Sequence, residues 1–444
     1  MAAGRSVAVI GGGLAGLAAA VALGSAEQKV TVFEARPFLG GRATSYPLNS
    51  ADEDSPTIDN CQHVLLRCCT NLLDFYSRLE VRDRIQFYRE FYWIEPGGRM
   101  SIMRRGRLPA PLHFAGSFTK LRFLSASAKM SVASALLAVK YEYGKRTDLG
   151  RMTMLDWLRE KNQPKQAVER FWKQVLVSAI NEDLERMAAS HGLQVFYLGF
   201  LARPDSYEMG VPAVPLAQLY SENAWARHAQ VTIRERANVQ QVRLENGRVA
   251  GIVVNDECLT ADAYVLAVPF ERVAALAPDL AIDLSAFTHS PITGIHLWFD
   301  RPITNLPHAT LLDRTIQWMF NKRNGRYIQL VVSASRALTD MPRAEVIDLG
   351  LRELKEFFPK AEGAKLERAH VVKEVRATFS AAPGMEEKRP GNVTALPNLF
   401  VAGDWTRSGW PATMEGAVRS GYLAAEAVMK SFGESWKFLL PDVA

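Results

Sequence analysis

An unbroken apolar run opens the chain. Residues 7–10 carry no polar position, as a strand buried on both faces requires. Three glycines interrupt the run, and an alanine-rich stretch of helical length follows. V-T-V-F then predicts a second strand ending on Glu34, so the opening reads as a βαβ unit. Residues 7–24 are uncharged and superficially resemble a signal sequence or a membrane span. The glycines at their centre and the strand that follows argue against both.

Further along, F-Y-W-I-E, P-G-G-R and M-S-I-M between Glu90 and Met103 predict a hairpin. N-S-A-D-E-D-S-P-T at 49–57 predicts a polar loop, T-M-L-D-W-L-R from Thr153 a helix start, and 167–203 mostly helix. A helix is also predicted from L-A-Q-L-Y through His228. V-T-I-R and V-Q-Q-V-R-L then read as strands. Asn246-Gly247 turns the latter back into R-V-A-G-I-V-V-N as a hairpin. A-D-A-Y-V-L-A-V-P predicts a buried strand returning to the first sheet. Three strands follow (I-H-L-W-F, I-Q-W-M-F, I-Q-L-V-V-S), then a helix at 344–358 stopped by Pro359. The last signals are a strand ending at 400–402 and a helix beginning at 411–415.

The chemistry concentrates at the two ends. Gly11, Gly13 and Gly16 hold G-x-G-x-x-G positions: a tight turn, close approach of backbone to a pyrophosphate, and close packing of helix on strand. Free N–H groups at the helix start favour phosphate. Glu34 stands 21 residues after Gly13, where a carboxylate accepts from a ribose 2′-OH. Arg36 and Arg42 flank Gly40-Gly41 and suit charge-assisted contacts to a dinucleotide. His63 lies among Asp59, Asn60 and Gln62. At the far end, Asp404 follows Gly403, in position for a ribityl hydroxyl or the pyrophosphate. The helix from 411 presents N–H donors to the electron-rich edge of a flavin. The opening unit alone fits NAD as well as FAD; the closing segment favours FAD.

Composition narrows the class. The 444 residues allow two or three domains, and 48% hydrophobic content is ordinary. Cys61, Cys68, Cys69 and Cys258 form neither a metal-ligand spacing nor a disulfide framework, so no metal site is expected and the chemistry reads as reduced and cytoplasmic. There is no P-loop and no G-x-S-x-G. Of the net charge of +6, the stretch from Arg99 to Arg146 holds ten Lys or Arg and only Glu142 as an acid. Interleaved with Leu, Phe and Ala, this segment suits an anionic lipid surface. Nucleic acid is not expected, because no stacking module accompanies the charge.

G-G-G-L-A-G with E-A-R-P-F-L-G-G-R-A, and F-V-A-G-D-W-T with A-T-M-E-G-A-V-R-S-G, resemble the flavin amine oxidase and carotenoid desaturase superfamily. Within it, D-N-C-Q-H-V-L-L, I-Q-W-M-F, R-A-T-F-S-A-A-P-G and G-W-P-A-T-M-E-G-A-V-R-S-G resemble the squalene-associated FAD-dependent desaturases, understood as hydroxysqualene dehydroxylases of bacterial hopanoid synthesis. This chain has Cys61 where that group carries glycine.

The resemblance implies an α/β architecture. A discontinuous Rossmann-type FAD-binding domain (1–88, 209–285, 386–432) is interleaved with a mixed α+β substrate domain (89–208, helical and membrane-facing; 286–385, a sheet), with a tail at 433–444. It implies one non-covalent FAD held by Gly11, Gly13, Ala15, Gly16, Glu34, Arg42, Asp404 and Met414, with Ala35, Arg36, Gly41, Gln62, Gly403 and Thr413 beside them and Val239 at the adenine. The implied reaction removes the allylic hydroxyl of hydroxysqualene reductively to give squalene, with His63 or Asp59 as the polar group at the leaving oxygen. No second G-x-G-x-x-G exists for a nicotinamide cofactor, so a separate electron donor is expected. The expected location is cytoplasmic, peripheral on the inner face of the cytoplasmic membrane. The rival readings are a phytoene-type desaturase, an amine oxidase, and a non-catalytic flavin-binding partner in an isoprenoid complex.

Overall fold

Strand β1 (Ser6–Ile10), helix α1 (Leu14–Ser25) and strand β2 (Lys29–Phe33) form the predicted opening unit. The computed structural model describes residues 4–49 and 55–443; residues 50–54 of the predicted polar loop lie outside the described residues. β1 and β2 pair in parallel. Val231–Arg234 joins the outer edge of β2, Ala263–Leu266 pairs with β1, and Leu399–Val401 closes the other side, giving a five-stranded parallel sheet. The dinucleotide domain is therefore assembled from segments hundreds of residues apart.

α1 is buried on every side from Leu14 to Leu23, which explains a helix of alanines with no polar face. The sheet lies on one flank. The closing helix, Met414–Ser431, lies on the other and carries Gly421 against the Ala15 carbonyl and the Ala18 side chain. A Cβ at 421 has no room, and overpacking of this kind costs about 1–3 kcal/mol.

The second sheet has seven strands. In spatial order they are Leu366–Phe379, His289–Phe299, Tyr327–Ser333, Trp318–Arg323, His308–Leu311, Glu90–Ile94 and Met100–Arg104. The last two are the predicted hairpin. Alternation divides the faces. Ile295, Leu297, Ile328 and Leu330 pack with Val346, Leu354 and Phe357 of the helix Arg343–Phe357. The opposite face turns Ile292, Val331, Trp318, Phe320, Phe91 and Trp93 toward a central cavity. Asn246 and Gly247 both have positive φ, as the hairpin turn demands.

One expectation is corrected. The helix predicted from 216 to 228 is only a 3-10 turn, Leu216–Leu219, and a single turn, Glu222–Trp225. The backbone closes separate i to i−3 turns, Gln218 N–H to Pro215 O at 2.9 Å and Ala224 N–H to Ser221 O at 2.8 Å, and Trp225 Nε1 takes the Tyr220 carbonyl at 3.2 Å. The basic stretch is also less free than its sequence implies. Arg99 pairs with Glu95, Arg104 with Glu90, and Arg146 with Glu142, Asp148 and Glu160. Its helix, Ala126–Glu142, buries the stripe Ala128, Val132, Ala135 and Val139 and exposes a second apolar stripe, Met130, Leu137 and Tyr141. Among the described residues, no helix is long and apolar enough to cross a membrane.

Candidate functional site

The glycine turn is built by what surrounds it. Gly11 has φ of +110°, open to glycine but strained for other residues, and its N–H donates to Phe33 O at 2.8 Å. Gly13 bridges Gly40, so the turn and the Gly40-Gly41 bend lie side by side. Gly13 is also the N-cap of α1 and offers no side chain, which leaves the first helical N–H groups to a ligand. Glu34 is only 9% exposed. Its Oε2 accepts from Gly12 N–H and its Oε1 from Arg36 N–H, both at 2.8 Å.

The closing segment faces this turn across a cavity of about 710 Å³. Arg42 spans the gap. Nη2 donates to Asp404 Oδ1 at 2.6 Å and Nη1 to the Ala377 carbonyl at 3.0 Å. Thr413 caps the closing helix through Gly416 N–H at 3.0 Å. Gly403, Asp404, Thr413 and Met414 line the cavity opposite Gly11, Gly13 and Ala15, with Glu34, Ala35, Arg36, Gly41, Arg42 and Val239 along the same side. Every predicted cofactor residue except Gly16 therefore borders one space. Gly16 lies behind the turn, packed against the Gly11 carbonyl and Ala267, and its role is close packing rather than contact.

Beyond this end the cavity turns apolar, bounded by Phe91, Trp93, Met103, Trp318, Phe320, Val175, Leu198 and Phe200. Between the two regions sits the 60–63 turn. His63 and Gln62 line the cavity. His63 Nδ1 is 3.0 Å from the Cys61 carbonyl; a carbonyl only accepts, so Nδ1 carries the hydrogen and a neutral ring leaves Nε2 as an acceptor. Burial pushes the imidazole below its ordinary pKa, against the Cys61 hydrogen bond and the Asp59 charge, which pull it up. Cys61 is not in the left-handed region, so the glycine of the resembling group is not required there.

Asp59 is not part of the cavity wall. Its Oδ1 accepts from Leu216 N–H at 3.1 Å and its Oδ2 from Lys322 Nζ at 2.8 Å; Lys322 also donates to Gln62 Oε1 at 2.9 Å. Both oxygens hold the turn, so Asp59 stands behind the cavity wall while His63 lines it.

Two supporting residues escaped the sequence. Arg389 has a fully buried side chain. It donates to the carbonyls of Trp410 at 2.7 Å, Asp404 at 2.9 Å and Thr406, pinning the loop that carries Asp404. Glu415 is buried and reaches the start of helix α2 (Thr70–Arg78), which has no side-chain cap of its own. Glu415 accepts from Asn71 N–H at 3.1 Å, Asn71 Nδ2 at 2.9 Å and Leu72 N–H at 2.7 Å. Burial raises its pKa to about 7 in spite of these donors. Each has one local ion pair, Arg389 with Glu386 and Glu415 with Arg419, but the loop carbonyls that Arg389 holds lie 15 to 21 positions away and the α2 groups that Glu415 holds lie more than 340 away.

The arrangement fits FAD: glycine turn and helix end for the pyrophosphate, Glu34 for the ribose, and the closing helix for the ring. Comparison with known proteins agrees. Residues 14–429 match the model of the flavin containing amine oxidoreductases. The chain belongs to that family. A 15-cis-phytoene desaturase from an Oncidium hybrid cultivar is 26% identical over 96% of this chain and 78% of its own length. A zeta-carotene desaturase from Synechocystis is 25% identical, over 95% of this chain and 97% of its own. Among solved structures, an oxidoreductase from Methanosarcina mazei superposes with a TM-score of 0.71 at 19% identity, covering 96% of this chain and all of its own. Putrescine oxidase bound to putrescine gives 0.70 at 15%, covering 96% and 99%. The chain is an FAD-dependent oxidoreductase of the amine oxidase and carotenoid desaturase superfamily.

Purified protein should carry one FAD. Glu34→Ala should bind it about ten- to a hundredfold more weakly, the equivalent of a lost charge-assisted hydrogen bond. Flavin fluorescence titration reads this directly, and unaltered affinity would remove Glu34 from the site.

Proposed function

We propose that this oxidoreductase removes the allylic hydroxyl of hydroxysqualene reductively, giving squalene. The observation that carries the reading is the character of the cavity: the cofactor-type residues share one space with a large set of aromatic and aliphatic side chains, and His63 lines it. Such a cavity suits a hydrocarbon chain with one polar group near the reacting carbon. In the balanced reaction the allylic C–O bond breaks, a C–H bond forms with hydride, and the oxygen leaves as water after taking a proton. FAD held by Gly11, Gly13, Glu34, Arg42 and Asp404 would supply the hydride when reduced, with a separate two-electron donor restoring it. His63 serves the leaving oxygen. In its neutral form Nε2 accepts from the hydroxyl; the proton is donated only by the imidazolium.

The second reading is carotenoid desaturation, favoured by the phytoene and zeta-carotene desaturases among the relatives. The amine oxidase reading is weaker. Trp405, adjacent to the closing motif, is fully buried and donates to the Val268 carbonyl at 2.9 Å, so it forms no cage wall.

The same reading brings the protein to a membrane from the cytoplasmic side, where such substrates reside. Leu108, Leu112, Met130, Leu137 and Tyr141 are exposed large apolar side chains in the basic segment, and Met130 is 75% exposed. Arg105, Arg107, Lys120, Arg122, Lys140 and Lys145 are exposed around them, and each cation contributes roughly 1 kcal/mol at an anionic surface.

Anaerobic incubation of the reduced enzyme with hydroxysqualene should yield squalene. Intact substrate beside converted phytoene would favour the desaturase. Because burial lowers the His63 pKa, the donating form is scarce at neutral pH, and the rate of this reaction should rise as pH falls through that pKa. His63→Gln should flatten the profile; an unchanged profile excludes His63 as the donor. Arg105→Gln with Arg107→Gln and Leu108→Ser should reduce sedimentation with anionic vesicles while leaving FAD content intact. Undiminished sedimentation would rule out this surface.

A further inference from the structure

One carboxylate on the cavity wall has no cation to neutralise it. Glu374, in the strand Leu366–Phe379, is half-buried and lines the cavity. Among the described residues its side chain makes neither a hydrogen bond nor an ion pair, and both of its oxygens remain accessible. The cations around it are committed elsewhere. Arg42 donates to Asp404 and the Ala377 carbonyl, and Lys322 to Asp59 and Gln62. On the strand itself, Lys373 donates to the carbonyls of Thr339 and Met341, and Arg376 lies 3.9 Å from Glu271.

Strand pairing puts this charge beside the turn that carries His63. Glu374 pairs with Ile292, and Ile292 with Ser333, so these residues stand in one row on the cavity face. Gly294 follows Ile292 on the same face and meets the turn: a Cβ there would lie 3.9 Å from the Asn60 carbonyl oxygen. Toward its end the strand gives the Ala377 carbonyl to Arg42. The charge is felt at both places. Burial, which lowers the Arg42 pKa, is outweighed by Asp404, with Glu271 and Glu374 adding to it. Burial is also the main reason the Cys61 thiol is pushed up to about 12, and Glu374 contributes. On the other side Ile292 joins the apolar cluster of Val331, Trp318 and Phe320, so hydrocarbon wall begins next to the carboxylate.

Such a carboxylate is costly once a hydrocarbon displaces the water around it. The phosphates of a dinucleotide are negative, so cofactor binding leaves it unmatched. A positive charge on the ligand matches it, and dehydroxylation generates one. When the protonated allylic C–O bond breaks, water leaves with the electron pair and the allylic carbons share a positive charge until hydride arrives. Resting on the dehydroxylation reading, we infer that Glu374 is the electrostatic partner of this allylic cation. The carboxylate forms no bond and moves no proton. Its charge, in place before the reaction, lowers the energy of the cation and not that of the neutral alcohol. His63 serves the leaving oxygen, and Glu374 the carbon skeleton left behind. Hydride removal from a hydrocarbon, the opposite direction, leaves the same charge on carbon, so the contact serves either direction.

The test uses a cationic stand-in, a secondary amine carrying two isoprenoid chains and protonated at neutral pH. FAD-loaded wild type, Glu374→Gln and Glu374→Asp are each titrated with this amine and with squalene in one detergent, and tryptophan fluorescence reports binding. Wild type should bind the amine about tenfold or more tighter than squalene. Glu374→Gln should lose that preference while holding squalene and FAD as wild type does. Glu374→Asp, which keeps the charge, should retain the preference. An equal preference in wild type and Glu374→Gln, or none in wild type, overturns the inference. So does a parallel loss of amine, squalene and FAD in Glu374→Gln, which would make the residue structural. If reduced wild type fails to convert hydroxysqualene yet shows a preference that Glu374→Gln alone loses, the dehydroxylation reading falls and the cation contact stands.

Discussion

The site depends on a close helix–helix contact. The closing helix meets α1 where Gly421 faces Ala15 and Ala18, and the space between the two backbones excludes even a Cβ. That contact brings residues 403–414 over the glycine turn. Without it, the fold has a phosphate cradle at one end of the chain and a ring-facing helix at the other, with nothing to align them. The alanines of α1 are the other half of the same constraint, since larger side chains would hold the helices apart.

Around this fixed point the molecule divides its polarity by sheet. The parallel sheet presents strand ends, free N–H groups and a carboxylate, all suited to a charged cofactor. The seven-stranded sheet presents one face of aromatic and branched side chains to the same cavity. Arg42, bonded to Asp404 and the Ala377 carbonyl, links the two. Family membership and a cavity lined by both cofactor-type and apolar residues together describe a flavin redox centre.

The opening βαβ unit, both hairpins and the return of Ala263–Leu266 to the first sheet were legible in the sequence, because each is dictated by local alternation or by turn chemistry. Gly11, Glu34 and Asp404 were legible for the same reason. Asp59 and His63 were not separable: they share one short polar stretch, and only Lys322, more than 250 residues away, reveals that Asp59 is already paired. Arg389 and Glu415 were illegible because a buried charged residue announces itself through its partners. The 216–228 stretch misled because its backbone closes separate i to i−3 turns and Trp225 Nε1 takes the Tyr220 carbonyl that a continuing helix would use.

Glu415 opens the ring-facing helix but caps α2, and through Asn71 Oδ1, which accepts from Leu440 N–H at 2.8 Å, it also fastens the tail. Three segments distant in sequence therefore meet at one buried carboxylate: the first turn of the closing helix, the start of α2 and the tail are fastened through Glu415 and Asn71. That carboxylate is a keystone, because without it the first N–H groups of α2 lose their acceptor and the tail loses the residue that holds it.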